Sequence, residues 1–139
     1  MNVYLDASAL IPLFIEDGFT AQAKAILTAA STPLVVGDFA RAEFASVIGR
    51  AVRIGRLPHS TALQIFADFD MWADPFATAE TTTQDVRLSE VWLRRLDLNL
   101  RAPDALHIAI AARLGASLAT FDVRIAEAAE ALGVRVAAV

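Results

Sequence analysis

The chain has 139 residues, 56% hydrophobic and 20% charged, which is material for one compact domain spanning residues 1–139 with a substantial core. With no cysteine and only two histidines, His59 and His107, it offers no disulfide scaffold, no thiolate zinc site, no thiol catalysis and no histidine-rich cage, so any metal must be held mainly by oxygen. A formal net charge of −4 argues weakly against a basic module held on nucleic acid by bulk electrostatics, and it does not exclude a nuclease that bridges phosphate through a metal.

Residues 2–5 read as a short buried strand ending at Asp6, followed by a helix from Ser8 that is broken or shifted near Pro12, and by a second helix over residues 20–30. The run PLVV, between Pro33 and Gly37, is a second buried strand, and Asp38 opens the helical pattern DFARAEFASVIGRAVRIG. After Pro58 helical periodicity returns and lasts to Trp72, with Leu63, Phe66, Phe69 and Trp72 forming a stripe assigned to the core; any exposed aromatic there offers an interface. FATAE is a marginal strand, and Thr82 or Thr83 caps a helix carrying Val86, Leu88, Val91, Trp92, Leu93 and Leu96. Pro103 marks the start of a helix that stops at Gly115, and the chain closes with SLAT, a helix, Gly133 and VRVAAV. Short apolar strands alternating with helices predict an α/β fold, a three-layer α/β/α sandwich around a central, mainly parallel sheet. The opening residues carry no secretory signal and no window approaches a membrane span, so the expected location is cytoplasmic.

In such sheets ligands bind outside the carboxyl ends of the strands. Asp6 directly follows the first strand and Asp122 follows SLAT by two residues, so both project from that edge; each is also well placed as a helix N-cap. Asp104 lies in the first turn of its helix, where the macrodipole favours a carboxylate without any catalytic duty. Glu43 shares a helix stripe with Ala40, Phe44, Val47, Ile48 and Ala51, which predicts burial and therefore a cationic neighbour, either a metal or an arginine such as Arg101 or Arg113. Counted together, four carboxylates without sulfur make a hard site suited to Mg2+ or Mn2+, an ion that neutralises a phosphodiester and acidifies water for attack at phosphorus. Ser8 and Thr120, two residues from Asp6 and Asp122, carry hydroxyls that either orient a carboxylate or cap a turn. His107, one turn beyond Asp104, reads as a core histidine on an apolar helix face.

The segments VYLDASALIPLFIED, RAEF, LRAPDALHIAIAARLGASLATFD and LGVRV, taken in order, resemble the PIN-domain family, and within it the VapC ribonuclease toxins of type II toxin–antitoxin pairs. The resemblance covers nearly the whole chain. It places the acidic metal-site residues on Asp6, Glu43, Asp104 and Asp122, with Ser8 and Thr120 in support. It implies a Mg2+- or Mn2+-dependent endoribonuclease, an RNA substrate, a cognate antitoxin lying across the active site and a homodimer. One departure stands out: many relatives carry another acid or amide shortly after the last aspartate, whereas Val123 and Arg124 follow Asp122 here. Arg124 is then open to phosphate contact, to pairing with a carboxylate, or to solvent.

Two other readings meet this pattern. Phosphoryl-transfer enzymes with an aspartyl nucleophile also place an aspartate after the first strand, but Ser8 stands where their second aspartate is expected and the single lysine, Lys24, lies in an early helix. A catalytically inactive PIN-like RNA- or protein-binding module is the second, and the presence of all four acids argues against it, because close carboxylates without a metal repel one another and any phosphate.

Overall fold

The computed structural model describes residues 2–29 and 33–137. Four strands, β1 (Val3–Leu5), β2 (Leu34–Gly37), β3 (Ala77–Ala79) and β4 (Ser117–Ala119), form one parallel sheet in the order β3-β2-β1-β4. Side chains alternate across it. Val3, Leu5, Leu34 and Val36 face a core built with helices α1 (Ala7–Phe14), α2 (Thr20–Ala29), α3 (Asp38–Arg53) and α4 (His59–Ala73). Tyr4, Val35 and Leu118 face a second core built with α5 (Thr83–Leu93), α6 (Ala102–Leu114) and α7 (Val123–Ala131). Helices on both faces give the expected three-layer α/β/α sandwich. Burial on both faces is why these strands read as continuous apolar runs.

Several expectations need correction. Helix α1 is not broken at Pro12 but runs through it and stops at Phe14, so the missing N–H costs at most one bond; the Pro12 carbonyl accepts the Thr20 hydroxyl at 2.8 Å. The aromatic stripe on α4 is only partly core. A spacing of three falls 60° short of a full turn at each step, so Leu63, 57% exposed, has rotated to solvent while Phe69 is buried with Ala62, Ile65 and Ala73. Phe69 stacks on Phe44 with centroids 4.4 Å apart, and Phe66 and Trp72 flank that pair half-buried.

Helix α5 ends at Leu93, and Leu96 beyond it has φ 64° and is 89% exposed. Val86, Leu88 and Val91 are also exposed, because α5 turns Asp85 and Ser89 inward instead. Thr82 rather than Thr83 is its cap, in a reciprocal box with Asp85. Near the C-terminus Val136 makes an isolated parallel bridge to Leu118, through the Arg135 carbonyl and the Ala137 N–H. Ala30, at the predicted end of the second helix, and the last two residues of VRVAAV lie outside the described residues. Among those described, no helix is long and apolar enough to cross a membrane.

The strand order creates the site. The chain leaves β1 for β2 on one side and later returns to β4 on the other, so the connections diverge at the carboxyl ends of β1 and β4. Such a divergence opens a crevice at that edge.

Candidate active site

Asp6 and Thr120 stand side by side at this switch point: Leu5 is in register with Ala119, and the Asp6 N–H donates to the Ala119 carbonyl at 3.2 Å. Asp6 is 1% exposed and caps α1, where its Oδ1 accepts the Ser8 hydroxyl at 2.6 Å and the Ala9 N–H at 3.1 Å. Ser8 Oγ also lies 3.2 Å from Thr120 Oγ1 and accepts the Phe121 N–H at 2.9 Å. Thr120 in turn accepts the Asp122 N–H at 3.2 Å. The two hydroxyls therefore do both jobs open to them, fixing the β4–α7 turn and tying it to the Asp6 carboxylate.

Asp122 caps α7, accepting the Arg124 and Ile125 N–H groups at 2.9 and 3.3 Å, and Arg124 lies back over it with Nη2 3.5 Å from Oδ2. Among the alternatives for Arg124, carboxylate pairing is the one observed. Asp104 is buried in the first turn of α6; its Oδ2 accepts the Arg101 N–H at 3.0 Å, with the Arg101 guanidinium 3.5 Å away. Helix α6 leads through Gly115 into the start of β4, so its own N-terminus lies at the carboxyl edge with Asp6.

Glu43 does not pair with Arg101 or Arg113. The buried stripe of α3 is Ala40, Phe44 and Ile48, which leaves Glu43 on its flank, half-buried, and Val47 exposed. Its carboxylate hydrogen-bonds His107 Nε2, and His107 Nδ1 lies 2.7 Å from the Tyr4 hydroxyl. Arg113 instead makes a two-pronged contact with Asp85, at 2.9 and 3.0 Å. Burial, helped by the carboxylates of Asp6 and Glu43, pushes the Tyr4 hydroxyl well above its ordinary range, so it stays protonated. The chain is satisfied when Tyr4 O–H donates to Nδ1 and Nε2–H donates to Glu43.

His107 is thus buried, as expected, but it is also a polar link between α3 and α6 across the sheet edge. Its spacing of three from Asp104, one helix face, was the available signal. Nothing in the sequence pointed to Tyr4.

The topology brings all four acids to one edge, but their side chains do not close on one point: among the described residues no three acidic or histidine groups gather into a ready metal shell. Asp104 and Asp122 are turned to their own helix ends, and Glu43 to His107. The donors are nonetheless all hard oxygens, and Asp6 stands apart electrostatically. Burial raises its pKa, opposed by the Ser8 and Thr120 hydroxyls, the nearby His107 ring and the Ala9 N–H. Neither lysine nor arginine among the described residues bonds to it. A buried carboxylate held only by neutral donors, with three further acids at the same edge, fits a divalent cation.

Residues 3–131 match the PIN domain family. The chain belongs to that family. A comparison with curated proteins gives no significant match. Among solved structures, it is similar to the VapC20 toxin of Mycobacterium tuberculosis, described as cleaving the sarcin–ricin loop, at 19% identity and a TM-score of 0.73 over 91% of this chain and 94% of that one. FitAcB from Neisseria gonorrhoeae gives 14% identity and a TM-score of 0.72 over 96% and 95% of the two chains. VapBC2 from Rickettsia felis, solved on a promoter DNA fragment, gives 13% and 0.67 over 88% and 89%. At these identities the likeness concerns the fold.

Proposed function

We propose that this PIN domain is a Mg2+- or Mn2+-dependent endoribonuclease, the toxin of a type II toxin–antitoxin pair, with Asp6, Glu43, Asp104 and Asp122 as its metal-holding acids. The observation that carries the reading is Asp6, a buried carboxylate at the switch point to which no lysine or arginine among the described residues is bonded. Bound there, a divalent ion supplies positive charge for the phosphodiester and lowers the pKa of water for attack at phosphorus. The chain's own part is positional. Ser8 and the Ala9 N–H fix the Asp6 carboxylate, Thr120 ties it to the Asp122 turn, and His107 holds Glu43 over the same edge. The cognate antitoxin is expected to cover this edge, and the toxin to form a homodimer. The likeness to VapC20 and to the VapBC2 assembly supports both the activity and the protein partner.

A second reading, an inactive PIN-like module that binds RNA or protein, draws on one observation: Glu43 is already engaged by His107, and among the described residues no three acids stand ready for an ion. Purified protein incubated with a structured RNA pool in Mg2+, Mn2+ or EDTA, beside Asp6→Asn, separates the two. Metal-dependent cutting that disappears in the variant is the expected result. Folded, antitoxin-free protein that cuts nothing in either metal refutes the nuclease in favour of the module.

A further inference from the structure

Beside the acids lies a feature that metal chemistry does not need. Phe19, directly before α2, and Phe121, directly before Asp122, stack with centroids 5.0 Å apart and planes only 15° from parallel. Phe121 is half-buried against the core, whereas Phe19, with Phe121 beside it, is still 46% exposed. They border a recess of about 320 Å3 whose other walls include Ser8, Pro12, Asp17 and Asp122. Ser8 and Asp122 belong to the site described above, so the recess opens onto it.

Phe19 is held on a stiff loop. Its N–H donates to Asp17 Oδ1 at 2.7 Å, the Asp17 N–H donates to the Thr20 hydroxyl oxygen at 2.9 Å, and the Thr20 hydroxyl donates to the Pro12 carbonyl at 2.8 Å. A half-exposed phenyl ring on a loop fixed in this way, already stacked on one neighbour, is suited to a third flat ring that continues the stack, the geometry by which single-stranded nucleic acid is held without sequence preference.

Charge selects which part of a nucleotide enters. No basic residue is among the described residues that line the recess, and the Asp17 carboxylate repels a phosphate while offering an oxygen to the amino groups of a base. We infer that Phe19 and Phe121 form a base-stacking subsite that holds one unpaired nucleobase of the RNA next to the phosphate offered to the acids. This rests on the nuclease reading and extends it to substrate form: single-stranded or loop RNA, gripped by one splayed base.

The test uses short single-stranded RNAs, each carrying one 2-aminopurine at a different position, mixed rapidly with the full chain in Mn2+ so that fluorescence is read on binding and cleavage is followed afterwards. The expected result is quenching of the fluorescent base at one position. Phe19→Ala should abolish it and raise KM about 5- to 150-fold, the equivalent of the ~1–3 kcal/mol of one base–aromatic stack, with kcat little changed. Phe19→Trp should keep both the quenching and the low KM. Cutting by Phe19→Ala with unaltered KM and unaltered quenching overturns the subsite and leaves the nuclease standing. Wild-type protein that neither binds nor cuts any of these RNAs overturns the nuclease reading and the subsite with it.

Discussion

Replacing Asp6 by Asn should abolish the proposed nuclease activity and yet stabilise the metal-free fold. The native Asp6 carboxylate has given up water for two hydroxyls and one N–H. The effective penalty for such a group is several kcal/mol. Asparagine caps a helix as well as aspartate does, and its Oδ1 can accept the same Ser8 and Ala9 bonds, while Thr120 Oγ1 is at hand for its amide. What is lost is the charge assistance of three hydrogen bonds, about 0.5–1 kcal/mol each, and about 0.5 kcal/mol of helix-dipole attraction. The balance favours the variant by about 1–2 kcal/mol, or about 3–6 °C in Tm for a chain of this length.

The gain has a definite pH dependence. Because burial raises the Asp6 pKa, the native state holds this proton more tightly than the unfolded chain does. That contribution is complete below the unfolded carboxylate value and is lost as pH rises through the raised one. Wild-type and variant Tm values in EDTA should therefore converge at about pH 4 and separate towards about pH 8, with the variant higher. Mn2+ should raise the Tm of the wild type only, closing the gap from the other side. A variant that melts at or below wild type at about pH 8 in EDTA would refute the reasoning, since it would make the carboxylate a net stabiliser and remove the case for a missing cation.

Asp85 should show the opposite slope. Burial pushes its pKa up, but the Arg113 contact and the Thr82 N–H and hydroxyl outweigh this and hold it below the usual range, so its contribution is present above the unfolded value and lost as pH falls through the native one. Arg113→Met strands that carboxylate; with Arg113 one-third exposed, a loss of about 2–3 kcal/mol is expected in urea unfolding at neutral pH, shrinking in acid. Gly37→Ala should cost about 1–3 kcal/mol, because a Cβ there meets the Tyr4 hydroxyl at 2.6 Å; unchanged stability would mean that Tyr4 is free to move. His107→Phe frees Glu43 and should weaken Mn2+ binding, read by calorimetry, about 10-fold; affinity equal to wild type would reduce His107 to a packing residue.

The fold was legible because its strands are buried on both faces and bounded by turn residues, so VYL, LVV and SLA stand out as apolar runs. The edge carrying the acids followed from topology: a residue just after a parallel strand can project only from the carboxyl end. What failed were inferences about helix faces and partners. Leu63 and Leu96 were assigned by hydrophobicity, but the first rotates away on α4 and the second lies past the end of α5. Spacing alone says which residues share a helix face, not which group lies opposite, and so the arginines weighed against a metal as partners of Glu43, Arg101 and Arg113, turn out to bond elsewhere while His107 meets it. Phe19 and Phe121 are 102 positions apart in sequence, and only the loop fixed by Asp17 and Thr20 brings them into register.

Asp6 and Asp85 show why burial alone does not mark a functional carboxylate. Each is at most 2% exposed, and each accepts helix-capping bonds close to a strand end. Asp85 meets a guanidinium through two hydrogen bonds, and its negative charge is spent inside the protein, clamping α5 to α6. Asp6 meets two hydroxyls and one N–H, which satisfy its hydrogen bonds but leave its charge uncancelled. A fold that needed only the cap at Asp6 would hold an asparagine or serine there at no cost. Keeping a carboxylate in that position is a continuing cost in the metal-free protein that a bound cation would offset, and the carboxyl edge between β1 and β4 is where the proposed nuclease would bring such a cation to a phosphate.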